Sequence, residues 1–253
     1  MIRGILFDLG ETLLNFGRVD VRACFDEGAR RAWQHLDERG RPVPDIDRYV
    51  RHQKWAIRRH YVFSRFGTKE LDVLKLLVRS HRRYGIDLSR AEALALTECF
   101  YAPLGRAGVV EPQARELLEG FRRHGRRTAL VSNTFIPGEV LDAHLHREGL
   151  RDLLEARIYS CQVGRRKPNR RIYDAALESL GLTGPTCLFV GDNFKCDVVG
   201  PARLGMYTVH KHPDGAARRT VHPTGGRPAP TACIRALAEL PEVLDQIESS
   251  DSP

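Results

Sequence analysis

The chain has 253 residues, enough to bury a substantial core, so it needs neither disulfides nor a structural metal to fold. Its 40 Lys and Arg against 32 Asp and Glu give a formal charge of +8, which attracts anions, yet the basic residues are scattered in pairs such as Arg30-Arg31 and Arg126-Arg127, a pattern that argues against nucleic acid as partner. No apolar run approaches the roughly 18 residues of a membrane span, and Asp8 and Glu11 break the N-terminal run, so the expectation is no membrane, a cytoplasmic address and six free cysteines.

Ile2 to Asp8 is a short apolar run closed by a carboxylate and followed by Gly10. It reads as a buried parallel strand entering a functional loop, with Asp8 at the strand's C-terminal end. From about Val19 to Phe100 the chain is rich in Ala, Leu, Arg and Glu, broken at Gly40-Arg41-Pro42, Gly67-Thr68 and Gly85-Ile86-Asp87, which predicts helices without intervening strands. Thr68 with Asp72, and Ser89 with Glu92, place capping residues before apolar periodic runs. In the helical segment, Trp55 and Tyr61 are expected in the core.

After Pro112 the pattern alternates. A helix through Leu117, Leu118 and Phe121 leads to a strand at Thr128 to Val131, a strand near Arg157 to Ser160 and a helix near Ile172 to Leu180. The strand Cys187 to Val190, a helix near Val198 to Leu204 and the strand Tyr207 to His210 follow. His212 to Pro230 reads as a surface loop, before a short strand at Cys233-Ile234, a closing helix through Leu244 and a disordered tail over 248–253. Repeated β-α-β units predict an α/β fold, with a Rossmann-like parallel sheet and helices on both faces. Residues 1–16 and 107–253 form the expected core, and 17–106 an all-helical insertion between its first two strands.

In an open α/β sheet, ligands bind beyond the carboxyl ends of the strands. Four polar groups follow apolar runs there: Asp8-Leu9-Gly10-Glu11-Thr12, Ser132-Asn133-Thr134, Lys167-Pro168 and Gly191 to Asp197. Each alone reads as a helix cap or a solvated turn. Together, in this order, they resemble the four motifs of the haloacid dehalogenase-like (HAD) hydrolases. Asp8 and Thr12 match the first motif, Ser132 the second, Lys167 the third, and Asp192 with Asp197 the fourth.

The resemblance implies a C1-type cap for the inserted helices and a hydrolase with Asp8 as covalent nucleophile. It implies a small phosphate ester as substrate and Mg2+ held by Asp8, the Gly10 carbonyl, Asp192 and Asp197. Thr12, Ser132, Asn133 and Lys167 would bind the substrate, Ser132 and Lys167 also serving the chemistry. A helix N-cap is the plain alternative for Asp197. The chain departs from the pattern at Gly10, where related phosphatases carry a second Asp that protonates the leaving oxygen. Glu11 is adjacent, and a hydrogen-bonding role suits it better than acid/base work. The departure keeps two other readings open: a metal-independent 2-haloacid dehalogenase, which also lacks the second Asp, and a non-catalytic module binding a phospho-ligand or a protein.

Overall fold

In chain order the elements are β1 (Gly4–Phe7), β2 (Leu14–Asn15) and four helices, α1 (Val21–Asp37), α2 (Ile46–Ser64), α3 (Val73–Arg82) and α4 (Arg90–Ala107). The chain returns through β3 (Val109–Val110), α5 (Ala114–Arg123), β4 (Arg127–Ser132), α6 (Gly138–Arg147) and β5 (Ala156–Tyr159). Then come α7 (Ser160–Val163), α8 (Arg170–Leu180), β6 (Cys187–Gly191), α9 (Gly200–Ala202), β7 (Tyr207–Lys211), β8 (Ala232–Ile234) and α10 (Leu240–Ser250). These come from a computed structural model describing residues 1–64, 67–212 and 229–250, with the side chains of 59–64 excepted.

Six strands pair in parallel in the order β5-β4-β1-β6-β7-β8, so β1 and β6 lie at the centre and are buried at every position. Alternate side chains go to opposite faces. Ile5, Phe7, Leu130 and Val190 pack with Leu118 of α5, Leu141 of α6 and Leu244 of α10. Leu6, Ala129, Val131 and Phe189 pack with Ile172, Tyr173 and Ala176 of α8. This is the expected α/β core with helices on both faces, and all six cysteines are free.

The helices between β2 and β3 have a core of their own, built on Ala32, Leu36, Tyr49, Ile86, Leu88 and Leu96. Ser89 caps α4 through a capping box with Glu92, as the spacing predicts. Asp72 caps α3, whereas the Thr68 hydroxyl instead accepts a hydrogen bond from Asn169 Nδ2 at 3.1 Å. Among the described residues, no helix is long and apolar enough to cross a membrane.

Several expectations need correction. The short strands β2 and β3 pair antiparallel, Leu14 with Val110 and Asn15 with Val109, and tie the outgoing chain to the returning one. Two residues carry no period, so the sequence does not reveal them. Trp55 is 54% exposed, because the inward stripe of α2 runs through Tyr49, Val50, Gln53 and Ala56 and turns Trp55 outward. The side chain of Tyr61 lies outside the described residues, as do residues 213–228 of the expected surface loop. Residues 248–250 complete α10, with Glu248 accepting from the backbone N–H of Ile2 at 2.9 Å; residues 251–253 lie outside the described residues.

The packing of α1 on α4 depends on Gly28, where an added Cβ would lie 2.2 Å from the Phe100 carbonyl oxygen. Gly28→Ala must push the two helices apart, at a cost of about 1–3 kcal/mol. Thermal denaturation checks this: a melting temperature equal to wild type would show that the helices do not approach so closely.

Candidate active site

Asp8 follows β1 directly, and its backbone N–H donates to the Val190 carbonyl at 2.9 Å. Phe7 is paired with Leu130 on one side and Val190 on the other, so Asp8, Ser132 and Asp192 stand on three adjacent strands at the C-terminal edge of the sheet. Ser132 is 5% exposed, and its hydroxyl has no hydrogen-bond partner among the described residues, which leaves it free to donate.

Lys167 lies between α7 and α8 with its side chain 2% exposed. Its ammonium donates to Asp8 Oδ1 at 2.7 Å and to Asp197 Oδ1 at 2.8 Å. Asn133 fixes the backbone of this lysine: Oδ1 accepts from the Lys167 N–H at 2.7 Å and Nδ2 donates to the Lys167 carbonyl at 3.2 Å. The Asn133 side chain is thus occupied in placing Lys167.

Asp197 is fully buried in a single π-helical turn, Phe194–Val199. Its Oδ2 accepts the Asn193 N–H at 2.9 Å, while the Asn193 side chain caps the turn by accepting from the Cys196 N–H. The N-cap alternative for Asp197 is therefore answered by Asn193. Gly191 makes room for this carboxylate, since a Cβ there would lie 2.4 Å from it.

Carboxylate oxygens of Asp8, Asp192 and Asp197 all lie within 4.8 Å of one another. Two of these three carboxylates hold one ammonium, and an all-oxygen donor set with excess negative charge suits a hard divalent cation such as Mg2+. The titration behaviour reflects the same crowding. Burial and the neighbouring Asp8 charge push Asp192 up to about 6. Burial, reinforced by Asp8 and opposed by Lys167, raises Asp197 as well. Burial alone would depress the Lys167 ammonium, but Asp197 and Asp8 hold it above its ordinary value, and it is charged at any working pH.

In the loop after Asp8, Thr12 is turned inward, and Glu11 takes the hydrogen-bonding role expected of it. Thr12 is completely enclosed, and its hydroxyl has no partner among the described residues, so it does not line the opening. Glu11 has φ +53°, and its carboxylate accepts the Phe16 N–H at 3.0 Å, which turns it into a loop brace. Gly10 is open: a Cβ there would meet only Phe16 Cε2, at an ordinary 3.9 Å. Two residues not singled out in the sequence also reach this loop. Lys211, 6% exposed, donates to the Glu11 carbonyl at 2.8 Å and pairs with Glu111 at 3.1 Å.

A parallel sheet with an acidic cluster and a buried lysine at its carboxyl edge defines an α/β enzyme scaffold built for an anionic ligand or a cation. The chain belongs to the haloacid dehalogenase-like hydrolases, whose family model matches residues 2–205. It is 31% identical over 150 residues to the pyrimidine 5'-nucleotidase YjjG of Escherichia coli, a match covering 59% of this chain and 63% of that protein. It is 26% identical to the ribulose-1,5-bisphosphate 5-phosphatase of Halopiger xanaduensis, over 83% of this chain and 84% of that one. It is 30% identical to the (S)-2-haloacid dehalogenase of Pseudomonas sp. strain YL, over 82% and 81%. The fold resembles that of a 2-haloacid dehalogenase from Pseudomonas syringae, with TM-score 0.66 and 21% identity over 97% of this chain and 99% of that one.

The raised Asp192 carboxyl gives a signed pH dependence. A cation takes the ionised form, so protons compete with it below about pH 6 and stop competing above. In the metal-free protein, the same shift withdraws stability as pH rises from the ordinary 3.8 through about 6, because deprotonation is then harder in the fold than in the unfolded chain. Calorimetric Mg2+ titrations should show tighter binding at pH 8 than at pH 5.5, with proton release at pH 5.5 only. Equal affinity and no proton release at both values would show that Asp192 is not displaced from a protonated state.

Proposed function

We propose that the chain is a magnesium-dependent phosphatase of small phosphate monoesters, with Asp8 as nucleophile. The observation that carries this reading is the convergence of Asp8, Asp192 and Asp197 within 4.8 Å. An anionic phosphate is repelled by such a cluster, which the Lys167 ammonium only partly neutralises, and a further cation lying between removes that repulsion. Asp8, Asp192 and the Gly10 carbonyl would hold the ion, and Asp197 would orient its surroundings. When bound, Mg2+ would supply charge neutralisation at the transferring phosphoryl oxygens. Two relatives whose names denote phosphate-ester hydrolysis support the reading.

In this reading one Asp8 carboxylate oxygen attacks phosphorus, and the bond to the ester oxygen breaks, leaving an acyl phosphate on Asp8. Water then attacks that phosphorus, releasing inorganic phosphate and restoring the carboxylate. Lys167 and the free Ser132 hydroxyl donate to the equatorial phosphoryl oxygens as charge develops. Asn133 keeps Lys167 in place, so its substitution would act through the lysine. The helical insertion, 17–106, serves as the cap over the core formed by 1–16 and 107–253.

Gly10 favours a second reading, dehalogenation at carbon, since it offers no acid to a leaving oxygen; the relative named as a haloacid dehalogenase fits it. Metal dependence separates the two. Release of phosphate from an aryl phosphate should require Mg2+ and vanish with chelator, and no halide should be released from a 2-haloacid. Halide release unaffected by chelator would reverse the assignment. Asp8→Asn keeps the side-chain shape and removes the nucleophile, so a folded variant should lose turnover by at least about a thousandfold. Near wild-type turnover in that variant would remove Asp8 from its role.

Gly10→Asp tests the missing acid. The site has room for the new Cβ, so the variant should fold. General acid catalysis is worth roughly a hundred- to ten-thousand-fold, so turnover of alkyl phosphates should rise by about tenfold or more, and that of aryl phosphates much less. No gain on either class in a folded variant would show that proton supply does not limit the reaction.

A further inference from the structure

Two more charged side chains are buried together against the loop that follows Asp8. Lys211 ends β7 and Glu111 follows β3, each 6% exposed. Their charged groups meet at 3.1 Å. Taking both from water is costly, and the attraction between them offsets that cost only where further hydrogen bonds are well placed. Among the described residues, the further side-chain bonds of the pair go to one short segment, and a backbone bond of Glu111 joins them. Lys211 donates to the Glu11 carbonyl at 2.8 Å, Asn15 Nδ2 donates to Glu111, and the Glu111 N–H donates to the Leu13 carbonyl at 3.0 Å.

The segment begins at Gly10, the residue with the widest backbone freedom, and continues through Glu11 in the left-handed region, which is uncommon outside glycine. The Leu13 and Leu14 N–H groups on the Leu9 carbonyl and the Phe16 N–H on the Glu11 carboxylate brace this loop from within, and the ion pair adds a hold that comes from β7. We propose that the Lys211–Glu111 ion pair is a positioning device: it clamps the Glu11–Asn15 loop so that the Gly10 peptide holds one orientation beside Asp8, Asp192 and Asp197. The inference rests on the reading of that cluster as a cation site. Lys211 and Glu111 touch no reacting atom and act only through the loop.

The test is the double variant Lys211→Met/Glu111→Gln, which removes both charges without orphaning either. Calorimetric titration with Mg2+ should show binding weakened by about tenfold or more, the usual effect of losing support behind a metal ligand. In metal-free protein, amide exchange should accelerate at Glu11, Leu13 and Leu14, whose N–H groups bond within this loop, while β1 and β6 stay protected. A merely structural pair would lower the melting temperature and leave both Mg2+ affinity and the pattern of loop protection unchanged, which would overturn the proposal. Should the double variant not fold, Asn15→Ala removes one contact of Glu111 and carries the same two measurements at smaller amplitude. Wild-type protein that takes up no Mg2+ would sink the cation reading and this inference with it; equal binding by wild type and double variant would sink only the inference.

Discussion

The burial of the Lys167 ammonium between Asp8 and Asp197 is the constraint on which the rest of the site depends. A charge removed from water is tolerated only with partners in good geometry, and here both partners must be held as firmly as the lysine. Each is fixed by different local physics. Asp8 is fixed by the ladder of the central strand, Asp197 by the Asn193 N–H and by a glycine small enough to lie beneath it, and Lys167 by the two-sided grip of Asn133 on its backbone. The helical insertion joins in, because the Arg166 N–H donates to the Thr68 carbonyl and the Glu70 N–H to the Gly164 carbonyl. The loop that carries the lysine is thereby pinned from the sheet on one side and from the insertion on the other.

One ammonium cannot balance three carboxylates. The fold accepts raised carboxyl pKa values at Asp192 and Asp197 where apolar packing would have been more stable. Charge crowding of this kind is the usual signature of a functional site, where stability is given up for chemistry. Around it, the sheet is conventional: strands buried on both faces, with α5, α6 and α10 on one side and α8 on the other. The cost is concentrated at the carboxyl edge, and the apolar layers below it supply the rigidity that keeps like charges together.

The sequence made the sheet legible because fully apolar runs recur between helical stretches, and it made Asp8, Ser132 and Asp192 legible because each is polar just beyond a strand or at its last residue, whereas Lys167, between two helices, is legible only through the order of the motifs. The same rule points to Lys211, which ends the strand begun at Tyr207. The apolar run that marks this strand ends at His210 in the sequence, so Lys211 falls just past both the strand and the family resemblance. Glu111 left no signal at all, since its partner is a hundred residues away. Thr12 shows the limit of a motif: its position matches, but burial turns its hydroxyl inward, and the grip of the Asn133 side chain on Lys167 is a three-dimensional contact that no spacing announces. Trp55 was misplaced for a different reason, because composition suggests a core aromatic whereas only helical phase decides which way it faces.

Gly10 sharpens what a phosphatase on this scaffold can do. The described side chains near the loop are already engaged: Glu11 braces Phe16, Lys211 holds the Glu11 carbonyl and Glu111, and Lys167 spans two carboxylates. None of these stands ready to hand a proton to a departing alkoxide. Lys167 has its acidity suppressed by the same carboxylates that hold it, so it serves as a fixed charge and not as a proton donor. Under the proposed function, the first chemical step therefore runs best on esters whose leaving oxygen departs as an anion without help. An aryl or enol oxygen satisfies that condition, and a simple alkoxide does not. On the proposed function, glycine at this single position would narrow the range of leaving groups while leaving the charges of Asp8, Lys167, Asp192 and Asp197 in place.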